Sequence, residues 1–140
     1  MRIEEDLKLD YSDVLIRPKR STLKSRKDVD LNRSFNFKNG KSWTGVPVVA
    51  ANMDTTGTLD MAGVLSEHNM ITCLSKHVTE IPDTYSINQR KFMALSFGMS
   101  KRDQEFLFGD EEGAYSAPHQ FFCLDVANGY SEEFLNFVRQ

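Results

Sequence analysis

The sequence predicts an α/β fold built on a parallel sheet. Four short apolar runs are separated by longer, more polar segments; the runs are Val46–Ala51, Met70–Ser75, Phe92–Phe97 and Phe121–Val126. Each run is almost continuously apolar rather than alternating, which is typical of strands buried on both faces of a parallel sheet. The intervals between the runs leave room for a helix between successive strands, as βαβ units require.

The segment after the first run predicts a helix over Thr58–His68. Leu59, Ala62 and Leu65 fall on one stripe of such a helix, and Asn69 follows as a C-terminal cap. Residues 78–90 and 99–118 give no comparable pattern. Pro82 and Pro118 mark breaks or element starts within those two segments.

The stretch FFCLDVANGYSEEF, residues 121–134, contains Asn128-Gly129, which is a strong β-hairpin signal between apolar runs. The residues that follow favour a helix instead. Ser131 is a suitable N-cap, and Glu132 and Glu133 fall in the first turn, where the helix dipole favours acids. An apolar stripe continues the pattern, formed by Phe134, Phe137 and Val138. We therefore predict a strand–loop–helix rather than a hairpin.

The composition is that of a folded globular protein, with 140 residues, 40% of them hydrophobic and 26% charged. A net charge of −3 gives no overall attraction to nucleic acid or anionic membranes. The sequence contains neither a membrane-length apolar stretch nor a signal-peptide core in MRIEEDLKLD. We expect a cytoplasmic protein without nucleic-acid or membrane partners.

The two cysteines, Cys73 and Cys123, both fall in apolar runs without metal-ligand spacing. We interpret them as buried, reduced packing residues. The three histidines, His68, His77 and His119, are scattered along the chain. The sequence therefore predicts no metal site.

Polar residues follow each apolar run, where ligands bind in parallel α/β folds. These residues are Asn52-Met53-Asp54-Thr55, Lys76-His77, Gly98-Met99-Ser100, and Asp125 with Asn128. Taken singly, Asp54 or Asp125 could be a helix cap and Lys76 a solvated loop residue. Taken together, the set predicts a ligand site at one edge of the sheet.

A basic segment, Arg17–Lys27, has six bases and no acid in eleven residues. It is either a solvated arm, a nucleic-acid or localisation patch, or a clamp for a phosphorylated small molecule. The acidic balance of the chain disfavours the nucleic-acid alternative.

The extent of the fold is also open at this point, because four strands fit either a small doubly wound domain or the first half of a barrel of eight βα units.

Three motifs closely resemble the GMP reductases of the IMP dehydrogenase/GMP reductase family. They are DVLIRPKRSTLKSR (Asp13–Arg26), GVPVVAANMDTTGT (Gly45–Thr58) and LDVANGYSE (Leu124–Glu132). The basic arm and the Asp-Val-Ala-Asn-Gly segment favour the reductases over the dehydrogenases. The resemblance covers most of residues 1–77 and 120–139.

The resemblance implies that residues 1–44 form an N-terminal arm and residues 45–140 the first four βα units of a TIM barrel. It also implies a homotetrameric enzyme of purine salvage that reductively deaminates GMP to IMP and ammonia with NADPH. In the family, a cysteine thiolate attacks the purine before hydride is delivered. A monovalent cation such as potassium, bound outside this chain, belongs to the same expectation.

The resemblance carries roles onto particular residues. Ser25 and Arg26 correspond to the cofactor contacts of the basic arm, which is thereby interpreted as a dinucleotide clamp. Lys76 is expected to face the cofactor and the reacting centre and to lie close to Asp125, as a pair that orients leaving ammonia or moves a proton. The remaining expected contacts are Asp125, Val126 and Ala127 with the nicotinamide, and Asn52 and Met53 with the substrate.

The sequence also departs from the family. The nucleophilic cysteine belongs to a Gly-rich loop that this chain does not contain, and neither Cys73 nor Cys123 matches it. Ser75 replaces the first histidine of the usual His-Lys-His, and Ser96-Phe97-Gly98 replaces a Ser/Thr-Gly loop. We therefore expect the 140 residues alone to fold poorly and to lack reductase activity. The alternative is a degenerate, non-catalytic relative that acts as a nucleotide-binding, interaction or regulatory module.

Overall fold

The computed structural model describes residues 5–109 and 121–139. The chain divides into two units, Met1–Asp30 and Leu31–Gln140. In the first unit the described residues are exposed, with short 3₁₀ turns at Tyr11–Asp13 and Arg26–Asp28. Pro118 and His119 lie outside the described residues.

The second unit begins with an antiparallel β-hairpin that the sequence analysis did not predict. Strand β1 (Arg33–Asn36) pairs with β2 (Ser42–Gly45), and Phe35 stacks on the buried Trp43. Gly40, at φ +80°, lies in the turn, a conformation that glycine adopts without steric cost.

The main sheet contains four parallel strands in the order β3-β4-β5-β6. The strands are β3 (Val49–Ala50), β4 (Ile71–Cys73), β5 (Met93–Phe97) and β6 (Phe121–Leu124). Each strand lies within one predicted apolar run and is shorter than it. The predicted α/β class and parallel sheet are confirmed.

In the described part of the chain, four helices alternate with these strands. They are α1 (Leu59–Glu67), α2 (Ile87–Arg90), α3 (Lys101–Phe108) and α4 (Glu132–Val138). Helix α1 confirms the helix predicted over Thr58–His68, and Asn69 adopts the left-handed conformation (φ 57°) expected of a cap. Helix α4 is capped by Ser131, so the Asn128-Gly129 segment is a strand-to-helix loop, as predicted.

The core lies between the sheet and the helices. Ala62 of α1 packs with Leu74, Met93 and Leu95, all of which are buried. The Tyr85 hydroxyl donates to the Leu59 carbonyl at 3.0 Å and so joins the loop before α2 to the start of α1. A second cluster joins α3 and α4 and contains the buried residues Leu107 and Phe137. These contacts fix the helices and leave the strand ends free to carry polar groups.

The hairpin and the sheet enclose an apolar groove with a volume of 350 Å³. Its lining includes Phe35, Phe37 and Trp43 from the hairpin region and Ile71, Cys73 and Phe121 from the sheet. Several apolar side chains of this region remain exposed, including Val49 at 57%. The groove is therefore an apolar surface of a kind that soluble proteins normally cover.

Both cysteines are free, as predicted, but they are half-buried rather than buried, so the predicted full burial is wrong. The strand registers align Cys73 with Ala94 and Cys123 with Ser96, so both side chains lie on one face of the sheet. Burial, together with the charge and hydrogen bonding of the neighbouring Cys123, raises the pKa of the Cys73 thiol to about 12. Cys73 is thus a protonated thiol at neutral pH, which agrees with a packing role.

Candidate functional site

The polar residues that follow the strands meet at the carboxyl edge of the sheet, as the sequence predicted. A pocket of 370 Å³ opens there. Its wall contains residues that follow β4, β5 and β6 and the start of α3: Lys76, His77, Ser96, Phe97, Gly98, Met99, Ser100, Asp103 and Asp125. Lys76 and Asp125, which are 49 positions apart in the sequence, therefore line one pocket.

Asp125 is held by Asn52 across the mouth of the sheet. Nδ2 of Asn52 donates to Oδ2 of Asp125 at 3.0 Å. The two residues follow β3 and β6, which are the first and last strands of the sheet. In a flat sheet the first and fourth strands lie about 14 Å apart. Two short side chains joined by a hydrogen bond span much less than that distance. The contact therefore shows that the sheet curves toward the face that carries these residues.

Asp54 is engaged by the neighbouring loop and is not a helix cap. The hydroxyl of the buried Ser75 donates to Oδ1 of Asp54 at 2.8 Å, and Nε2 of His77 lies 3.8 Å from the same oxygen. Thr58 caps α1 by accepting from the Met61 amide at 3.2 Å. Ser75 thus makes a specific contact at the position where the family usually has histidine.

Lys76 is exposed, and its ammonium is available to a ligand. Among the described residues, no ion pair within 4.0 Å joins Lys76 to Asp125. On the other side of the pocket, Asp103 accepts from the Gly98 amide at 3.1 Å and from the Ser100 hydroxyl at 2.7 Å. Sequence reasoning missed Asp103, although the Ser100-x-x-Asp103 spacing is a capping signal.

Ser96 contributes to the same wall, and its hydroxyl is buried beneath the pocket surface without a hydrogen-bond partner among the described residues. A buried hydroxyl without a partner is costly. With the Lys76 ammonium and the Asp125 carboxylate nearby, the wall combines donors with an acceptor. Such a set suits a carboxamide, which both accepts and donates hydrogen bonds.

The remaining predicted site residues lie at the same edge of the sheet. Val126 is half-buried and Ala127 exposed, directly after Asp125. Met53 is 62% exposed, and its carbonyl accepts from the Thr56 and Gly57 amides at 2.9 and 2.6 Å. Met53 therefore contributes its backbone to the turn that presents Asn52 and Asp54.

In the first unit, Ser25 and Arg26 begin a short 3₁₀ turn. The Ser25 hydroxyl accepts from the Lys27 amide at 3.2 Å, and the Ser25 amide donates to Asp28 at 3.0 Å. This reciprocal cap fixes the backbone where the exposed Arg26 side chain begins. An exposed guanidinium on a fixed turn suits phosphate binding by its planar set of donors.

The described residues also lack two features that would bear on function. Within residues 5–109 and 121–139, no group of three or more His, Cys, Asp or Glu side chains is arranged to hold a metal ion. In the same part of the chain, every helix is too short or too polar to cross a bilayer.

The fold and the pocket define a parallel α/β protein with a polar site at the carboxyl edge of its sheet. Comparison with known proteins adds a set of relatives. A protein described as GMP reductase from Shewanella pealeana is 47% identical over 146 residues, which cover 100% of this chain and 42% of that protein. Proteins of the same description from Salmonella arizonae and Citrobacter koseri are 50% and 49% identical over 144 residues, covering 99% of this chain and 41% of theirs.

The chain is therefore a homologue of the GMP reductases, as its three motifs indicated, and it matches them along essentially its whole length. It spans about two fifths of the length of these curated relatives. No protein-family model matches the chain. The homology is consistent with an N-terminal portion of such a protein.

Proposed function

We propose that this chain forms the cofactor side of the active site of an NADPH-dependent GMP reductase. The observation that carries the proposal is the pocket that contains both Lys76 and Asp125, in a chain about half identical to proteins described as GMP reductases. The enzyme would convert GMP to IMP and ammonia in purine salvage, in the cytoplasm and as a homotetramer. The curvature implied by the Asn52–Asp125 hydrogen bond supports the proposal that the four strands belong to a TIM barrel.

The residues present suit the nicotinamide end of the cofactor. The carboxamide would meet Lys76 and Asp125, with Val126 and Ala127 beside it. Arg26, on the turn capped by Ser25, would bind a phosphate of the dinucleotide. NADPH, when bound, supplies the hydride for the reduction.

In the proposed reaction, Lys76 and Asp125 act on the leaving ammonia. An ammonium and a carboxylate in one pocket can donate and accept a proton at the departing nitrogen. Both side chains are exposed and are not paired with each other, so each is available to the ligand. Asn52 and Met53, on the turn after β3, would lie on the nucleotide side of this pair.

The 140 residues alone are proposed to be inactive. They contain only part of the length of the relatives, and neither Cys73 nor Cys123 matches the position of the family's nucleophile. Cys73, with a pKa raised to about 12, also lacks the thiolate that a nucleophile requires at neutral pH. The apolar groove between the hairpin and the sheet is of a kind that proteins normally cover, which is consistent with a chain that folds poorly by itself.

A hybrid enzyme provides the test. In it, residues 1–140 replace the matching segment of the Salmonella arizonae protein, and GMP-dependent NADPH oxidation and IMP formation are measured. We expect activity from the hybrid and none from the 140 residues alone. A correctly folded hybrid without activity would favour the degenerate, non-catalytic alternative, whereas activity of the 140 residues alone would refute their proposed incompleteness.

A further inference from the structure

The contact between Asn52 and Asp125 is the most specific feature of the pocket. It joins side chains 73 positions apart at a distance of 3.0 Å. Asn52 is half-buried on the turn after β3, whereas Asp125 is exposed after β6. A hydrogen bond to a carboxylate is stronger than one between neutral groups, so this contact favours one orientation of the Asp125 carboxylate.

Asp125 needs such a partner. Its backbone is fixed, because its amide donates to the Phe97 carbonyl at 2.8 Å. Its carboxylate can still rotate about the side-chain bonds. Among the described residues, Asn52 is the hydrogen-bond partner of Oδ2, and Oδ1 accepts no hydrogen bond. The Asn52 amide thus restricts one oxygen and leaves the other available.

We propose that Asn52 is a positioning residue for the reaction: its side-chain amide holds Oδ2 of Asp125 so that Oδ1 faces the reacting ligand. This inference rests on the proposed function, because Asn52 affects proton transfer through Asp125. It assigns to the turn after β3 a role in proton transfer beyond contact with the nucleotide.

A double-mutant cycle in the hybrid enzyme tests the inference, with NADPH and GMP as ligands. The variants are Asn52→Ala, Asp125→Ala and the double variant, with Asn88→Ala as a control because Asn88 is exposed and its amide oxygen contacts only Lys91. Displacing a catalytic group by about 1 Å can cost on the order of 100-fold in rate. We expect Asn52→Ala to lower kcat by roughly 10- to 100-fold, with KM for NADPH changed less than about threefold.

The cycle separates this inference from the proposed function. If Asn52 acts through Asp125, Asn52→Ala will have little further effect once Asp125 is alanine. If the double variant loses as much kcat as the two single losses multiplied together, the inference is overturned and the proposed function stands. The same conclusion follows if Asn52→Ala turns over normally while Asp125→Ala is defective. Normal turnover of Asp125→Ala would overturn both.

Two additional measurements guard against a folding artefact. Asn52→Asp keeps the size of the side chain but places a second carboxylate against Asp125, so we expect at least the loss seen with Asn52→Ala. A crystal structure of the cofactor-free Asn52→Ala hybrid should show the Asp125 carboxylate rotated or in several conformations. An unchanged, singly ordered Asp125 would contradict the positioning role, whatever the kinetics.

Discussion

Gly57 should be irreplaceable because the turn that carries Asn52 and Asp54 packs directly against the end of β4. A Cβ atom at Gly57 would lie 2.5 Å from the Cys73 carbonyl oxygen and 2.8 Å from the Ser75 nitrogen. Both atoms belong to the backbone and cannot rotate away. The Gly57 carbonyl also accepts from the Ser75 amide at 2.8 Å, so moving the turn outward would break this hydrogen bond.

The expected cost of Gly57→Ala combines two terms. Overpacking costs about 1–3 kcal/mol and the lost hydrogen bond about 1 kcal/mol, which together give about 2–4 kcal/mol. A hybrid of the relatives' full length shifts by less than about 2 °C per kcal/mol, so the melting temperature should fall by about 3–5 °C. The assay is thermal unfolding of the hybrid enzyme, followed by circular dichroism.

Gly129→Ala is the matched control, because Gly129 lies in the loop after β6 at the same edge of the sheet. Its Cβ would meet only the Phe134 ring at 3.7 Å, an ordinary contact, and its φ is not left-handed. We expect no destabilisation, or a gain of about 0.4–1 kcal/mol from the reduced freedom of the unfolded chain. Equal melting temperatures for Gly57→Ala and Gly129→Ala would refute the close-packing account of the turn.

Two further predictions concern the core and the thiols. Leu74→Ala removes a fully buried side chain of the core and should cost about 2–5 kcal/mol, whereas Leu135→Ala, at a side chain 45% exposed, should cost much less; urea unfolding of the hybrid measures both. At pH 9 the Cys73 thiol, with a pKa of about 12, should be alkylated roughly 500-fold more slowly than a thiol with the ordinary pKa of 9.0, and Cys123→Ser should speed its reaction, as followed by mass spectrometry. Because the folded pKa of Cys73 lies above its ordinary value of 9.0, its contribution to stability is fully present below pH 9 and is lost as the pH rises toward about 12. Equal alkylation rates for Cys73 in folded and urea-unfolded protein would show that burial does not protect the thiol.

The sheet could be predicted from the sequence because its strands are short, apolar and separated by helical segments. Thr58 and Ser131 cap the helices where the sequence placed their starts. The β1–β2 hairpin could not be predicted in the same way. Strand β1 is polar and exposed along its length, and the hairpin depends on Trp43 packing against Phe92 and Phe121, which are distant in the sequence.

The candidate site was predictable in position but not in detail. Polar residues after parallel strands must meet at one edge, which brought Lys76 and Asp125 into one pocket. The Asn52–Asp125 hydrogen bond depends on how strongly the sheet curves, and no local pattern encodes that curvature. The Ser75–Asp54 contact likewise requires knowledge of how the turn that begins at Met53 packs on β4.

The central claim is that the pocket at the carboxyl edge of the sheet releases ammonia from GMP with the help of Lys76. The most direct measurement is the rate of ammonia release by the hybrid enzyme, compared with its Lys76→Ala and Lys91→Ala variants. Lys91 is a matched control because its ammonium contacts Asn88 and does not line the pocket. The account predicts a loss of about 10²–10⁴-fold for Lys76→Ala and an unchanged rate for Lys91→Ala. Normal ammonia release by Lys76→Ala would contradict it.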